Sequence, residues 1–162
     1  NLGEMEAAQK EFIELERFVF KFAYGLAGYP TEGKKVPGDN LAIAAALLKG
    51  EIETKKGNVE EAIYQFSSAV RLEDANTYYE PAAWNFPTRH YLGALLLDAN
   101  KPREAEVVYW EDLKKNPNNA YSLYGLYQSL IAQGKEKEAE IFLNRYEEEW
   151  KDADVKLTRS RF

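Results

Sequence analysis

The sequence predicts an all-α fold, an α-solenoid of about seven helices laid down as antiparallel pairs. Two observations predict it. A turn-and-alanine signature recurs through the 162 residues, and a bulky apolar side chain follows each alanine by one helical turn. Composition closes other routes. Hydrophobic residues make up 45% and charged residues 30%, the balance of a folded chain. Twenty-one basic against 27 acidic side chains give a charge of −6, which argues against a nucleic-acid footprint. With no cysteine, thiolate metal sites and disulfide frameworks are excluded, and the chain fits any compartment. The longest apolar run, Leu41–Leu48, is far short of the roughly 20 residues a spanning helix needs, so no membrane insertion is expected.

The elements follow in chain order. Gly3-Glu-Met-Glu-Ala-Ala8 carries the signature with Phe12 at the bulky position, which predicts a helix over 3–26 within a half-repeat, 1–27. A half-repeat has lost its first helix and cannot bury its own apolar face, so the chain is expected to be the C-terminal piece of a longer protein. Two prolines and several glycines predict a loop over 28–39. Helices over 40–56 and 59–72 form the repeat 40–73, joined at Gly57. An irregular insertion, 74–85, follows. Helices over 87–99 and 102–115 form the repeat 86–119 around Asn100, with Pro102 in the first turn of the second helix. Helices over 119–133 and 136–152 form the repeat 120–153 around Gly134, and 154–162 is a tail with Leu157 and Phe162 as docking anchors. Gly57, Asn100 and Gly134 are the residues expected in the left-handed conformation of a helix C-terminus. Gly50 and Gly93, facing Ala62 and Ala105, are expected to let paired backbones approach, with Phe66 and Tyr109 filling the space between neighbouring repeats.

The residues Gly57…Ala62…Phe66, Leu92-Gly93…Asn100…Ala105…Tyr109…Pro117 and Gly125…Gly134…Ala139…Leu143 resemble the tetratricopeptide repeat. Ala105 and Ala139 stand 34 residues apart, the length of that repeat. The early tryptophan of the family is replaced by Ala46, Arg89 and Leu123. The resemblance implies one tetratricopeptide domain over 1–162 and a right-handed superhelix. The stretch Tyr79–Gly93, with Tyr109–Pro117 and Ala153–Phe162, is similar to the C-terminal region of a group of longer, mainly bacterial tetratricopeptide-repeat proteins. Their upstream histidine motifs have no counterpart here, and the similarity implies that Phe162 is a natural C-terminus.

The family resemblance implies a concave groove lined by the first helix of each repeat. Its lining is expected to include Leu47 and Glu51, then His90, Tyr91 and Asp98, then Tyr121, Tyr124 and Gln128. Rigid tyrosines with polar tips suit a protein or peptide partner. Tetratricopeptide domains that clamp a C-terminal carboxylate place Lys, Asn and Arg on this face. Leu47, Glu51, His90 and Ala94 stand there instead, so a peptide ending in an acidic motif is not the expected ligand. Tyr78, Tyr79 and Trp84 form a second candidate recognition element, with packing of Trp84 as the structural alternative. The alternative to a binding groove is a structural C-terminal cap, or a module self-associating through Phe12, Phe18, Phe20 and Phe22 of the half-repeat, in a larger protein whose active part is expected upstream.

No catalytic residues, metal site or cofactor are expected. His90 is the sole histidine, and Asp98, two helical turns away, is too far to orient it. The acids between Glu147 and Asp154 lack the spacing of a calcium loop, and no phosphate-cradling glycine loop exists.

Overall fold

The computed structural model describes residues 2–23, 38–76, 84 and 86–161, the side chains of 2, 21–23 and 38–39 excepted. Seven helices, and no strand, occur among the described residues: α1 (Leu2–Ala23), α2 (Gly38–Lys56), α3 (Val59–Ala75), α4 (Thr88–Asp98), α5 (Pro102–Lys115), α6 (Ala120–Ile131) and α7 (Glu136–Glu149). Helix α2 starts within the expected loop, at Gly38; the rest of that loop lies outside the described residues. The chain divides into two compact units, Asn1–Asn85 and Phe86–Phe162, which are taken separately below.

Three turns, at the end of α2, α4 and α6, share one backbone solution. Gly57, Asn100 and Gly134 have φ of +82°, +57° and +72°. At each, the N–H one residue on reaches back to close the helix end: Asn58 to the Glu53 carbonyl at 2.9 Å, Lys101 to Leu96 at 2.8 Å, Lys135 to Leu130 at 3.0 Å. The N–H of the turn residue itself reaches Thr54, Leu97 and Ile131 respectively. This six-to-one, five-to-two pattern is the Schellman motif, and it satisfies carbonyls that a helix end would otherwise orphan. The next helix then starts in the same register each time, with Ala62, Ala105 and Ala139 donating to the residue after the turn.

The register decides the packing. In the first unit α2 contacts both α1 and α3. Ala62 and Phe66 of α3 are fully buried, and a Cβ built on Gly50 of α2 would lie 2.3 Å from the Phe66 ring. Only a glycine lets that ring close on the helix. On α1, Ile13, Phe18 and Phe20 are each about half exposed.

The second unit repeats the device twice on one ring. Tyr109 of α5 is fully buried. A Cβ on Gly93 of α4 would stand 2.4 Å from its Cζ, and one on Gly125 of α6 would stand 2.2 Å from it. The tip of the tyrosine therefore sits between α4 and α6, each helix giving up a side chain to admit it. Leu143, at the bulky position of α7, is only half-buried.

Gly125→Ala tests this directly. Helix propensity alone favours alanine by about 1 kcal/mol. Overpacking against a buried ring costs about 1–3 kcal/mol. The expected outcome is a net destabilisation of up to about 2 kcal/mol in urea unfolding. A stabilised variant would show that the ring is not seated there.

Candidate peptide-binding face

Helices α4 and α6 lie side by side in the second unit and present Tyr91, Ala94 and Asp98 from one, Tyr121, Tyr124 and Gln128 from the other. These are successive turns of each helix, so the side chains share a face. Asn119 fixes the start of α6, its side-chain oxygen accepting from the N–H groups of Tyr121 and Ser122. Arg145 of α7 donates to the Pro117 carbonyl at 2.8 Å and pins the preceding turn.

The face is already occupied by the chain itself. Beyond α7, the Trp150 indole donates to the Val155 carbonyl at 2.6 Å and Leu157 N–H donates to the Tyr146 hydroxyl at 3.3 Å. Gln128 donates to the Thr158 carbonyl at 3.2 Å. One guanidinium nitrogen of Arg159 straddles both carboxylate oxygens of Asp98 at 2.8 Å. Ser160 is fully buried, hydrogen-bonded to the Tyr109 hydroxyl, with its own Oγ 3.5 Å from the His90 carbonyl. The Arg161 guanidinium lies 5.7 Å from the centroid of the Tyr91 ring. Residues 155–161 are an irregular strap, not a helix, and they cross from the end of α7 over α6 to α4.

Aromatic side chains surround the strap. Tyr121 meets Trp150 edge-on at 5.5 Å, and Tyr124 lies 4.9 Å from Tyr146. Tyr121 and Tyr124 are each half-buried, and burial pushes both phenols up from the usual tyrosine value. Burial likewise raises Tyr109, against the opposing Ser160 hydrogen bond. All three are neutral hydrogen-bonding groups at physiological pH.

His90 lies beneath this surface and not on it. It is fully buried, as an expected groove residue would not be. Its Nε2 lies 3.3 Å from Asp112 Oδ2 and 3.0 Å from Ser122 Oγ, and Ser122 donates to the same carboxylate oxygen at 2.6 Å. Asn116 donates to the other carboxylate oxygen at 3.1 Å. Facing a carboxylate, Nε2 carries the hydrogen; Nδ1 has no partner among the described residues. Burial acts to raise the Asp112 carboxyl, but hydrogen bonds from His90, Ser122 and Asn116 hold it below its ordinary 3.8. The serine donates a hydrogen bond to the aspartate and the histidine donates as well, the reverse of what an activated serine needs. The trio ties α4, α5 and α6 together.

Of the other residues expected at a site, Leu47 is buried and Glu51 half-buried in the first unit. Trp84 is half-buried, while Tyr78, Tyr79 and Phe162 lie outside the described residues. Sequence reasoning missed Asp112 and Ser122 as partners of His90, and it missed Arg159 and Ser160 as the strap's anchors. The signal for Asp112 was present: it falls on the buried stripe of α5, seven residues after Ala105 and three after Tyr109. Among the described residues no group of acids and histidine is placed to hold a metal, and no helix is long and apolar enough to cross a membrane.

No protein-family model, no curated protein and no solved structure matches this chain.

The trio makes a pH prediction. A carboxyl whose folded pKa is depressed contributes stability above its unfolded value and loses it as the pH falls through the folded one. Wild-type stability should therefore decline from about pH 5 towards pH 2, and Asp112→Asn should flatten that limb. Asp112→Ala, which strands two buried polar groups, should cost about 3 kcal/mol at neutral pH. Chemical denaturation across the acid range reads both, and an unchanged acid limb in Asp112→Asn would contradict the assignment.

Proposed function

We propose that the chain is a tetratricopeptide-type interaction module whose α4/α6 face binds a peptide segment of a protein partner. One observation carries the reading: an irregular stretch of polypeptide, residues 155–161, already lies on that face. It is held by the Gln128 side-chain amide donating to the Thr158 carbonyl, an ion pair at Asp98 and an aromatic platform at Tyr91. A face that accepts one irregular segment through such contacts has the chemistry to accept another. The three matching Schellman turns and the Gly–aromatic packing support the repeat reading, as does the 34-residue interval between Ala105 and Ala139. The alternating pairs of helices are compatible with a solenoid.

A second reading is favoured by the same strap. The buried Ser160 and the Tyr109 hydroxyl satisfy one another, so the segment also seals the end of the helical stack as a structural cap.

A peptide-display selection on the full chain separates the two. Binding peptides should emerge, and Tyr91→Ala/Gln128→Ala should weaken them about tenfold while leaving the circular dichroism spectrum unchanged. Peptides that bind the variant equally well would move the site elsewhere. An empty selection would favour the cap.

A further inference from the structure

The strap reports what the face recognises. Its three anchors alternate. Ser160 points in and is fully buried at the Tyr109 hydroxyl, while Arg159 and Arg161 reach to either side along α4. Arg159 takes Asp98 and Arg161 takes Tyr91. Asp98 and Tyr91 are seven residues apart, about 10.5 Å along the helix. The strap thus runs antiparallel to α4, with its later arginine at the earlier helix position. Two arginines separated by one residue, splayed around a small inward side chain, match that spacing. Only a small side chain fits inward, because the Tyr109 tip already fills the gap between Gly93 and Gly125.

The strap is also an imperfect occupant. A cleft of about 230 Å³ remains beside it, lined by Ala94, Leu97, Asp98 and Gln128 against Thr158, Arg159 and Ser160. The Asp98–Arg159 pair is nearly half exposed on both sides, 47% and 45%, where ion pairs contribute little net energy. Its other contacts, with Trp150, Tyr146, Gln128 and Tyr109, act together with its tether. Ser160 follows Trp150 by ten residues, and so short a connection gives an effective concentration of roughly millimolar. A weak intramolecular contact survives on those terms, and a better ligand displaces it.

We infer that the α4/α6 face recognises a basic, non-helical segment of a partner carrying Arg-small-Arg, and that residues 155–161 are the resident competitor it displaces. This rests on the peptide-binding reading given above.

The test uses the full chain and a labelled peptide of residues 154–161 with both ends capped, read by fluorescence anisotropy. Arg159→Glu/Arg161→Glu weakens the resident strap and leaves the face intact. That variant should bind the peptide at least tenfold more tightly than the wild type. Adding Asp98→Lys should lower the affinity at least fivefold. A peptide of the same composition with the two arginines adjacent should bind at least fivefold more weakly, which removes attraction to the net charge of −6 as the cause. Circular dichroism establishes that each variant is folded; should Asp98→Lys not fold, Asp98→Asn replaces it with the same expected direction. Equal binding by the wild type and the strap variant, indifference to Asp98, or equal binding of the rearranged peptide would each overturn the proposal. If it falls, display selection on the strap variant separates the causes. Peptides of other composition that depend on Tyr91 and Gln128 would remove the basic specificity and leave the peptide-binding face. No peptide of any kind would remove both.

Discussion

The seat of one tyrosine organises the second unit. Tyr109 leaves α5, enters between Gly93 and Gly125, and presents its hydroxyl beyond them to Ser160. Two helices give up side chains so that the ring can pass, and the approach of α4 to α6 is set by its thickness. A buried phenol needs a hydrogen-bond partner, since an orphaned one costs about 1–3 kcal/mol. The strap supplies it. Core packing and the occupant of the face are therefore joined through a single side chain.

The first unit shows the same device without the polar tip. Phe66 closes on Gly50 as Tyr109 closes on Gly93, and Ala62 and Ala105 sit in the same register after their turns. Phenylalanine ends in hydrocarbon and asks for no partner. Tyrosine carries the hydroxyl to which the strap is bonded. A second polar group lies deeper, where Asp112 collects hydrogen bonds from Ser122, Asn116 and His90. Its role is to hold three helices in place under the face, and its cost is a carboxylate in the interior that must stay fully paired.

Much of the local architecture was legible from residue spacing. The three turn residues are the ones with positive φ among the described residues, because glycine and asparagine tolerate that conformation and the alanine five residues on marks the helix they release. Gly93 was readable as a site of close approach, but to Ala105 of the paired helix; the structure places the Tyr109 ring against it instead. Gly125 was visible only as a shifted small residue, and its role appears once α6 is seen against the tyrosine tip. The site was less legible. His90 reads as a surface residue from α4 alone, and it is buried because Asp112 and Ser122 arrive from two other helices. The strap has no periodicity to betray it. Arg159 and Ser160 look like any polar tail until Asp98 and Tyr109 are placed opposite them, and that placement comes from tertiary packing.

The seating of the strap at the tyrosine tip is the claim on which the rest depends. Nuclear Overhauser contacts in the full chain measure it most directly. The account predicts contacts from the Ser160 β-protons to the Tyr109 ring, and from the Arg161 side chain to the Tyr91 ring. Random-coil shifts over residues 155–161, with neither contact present, would contradict it.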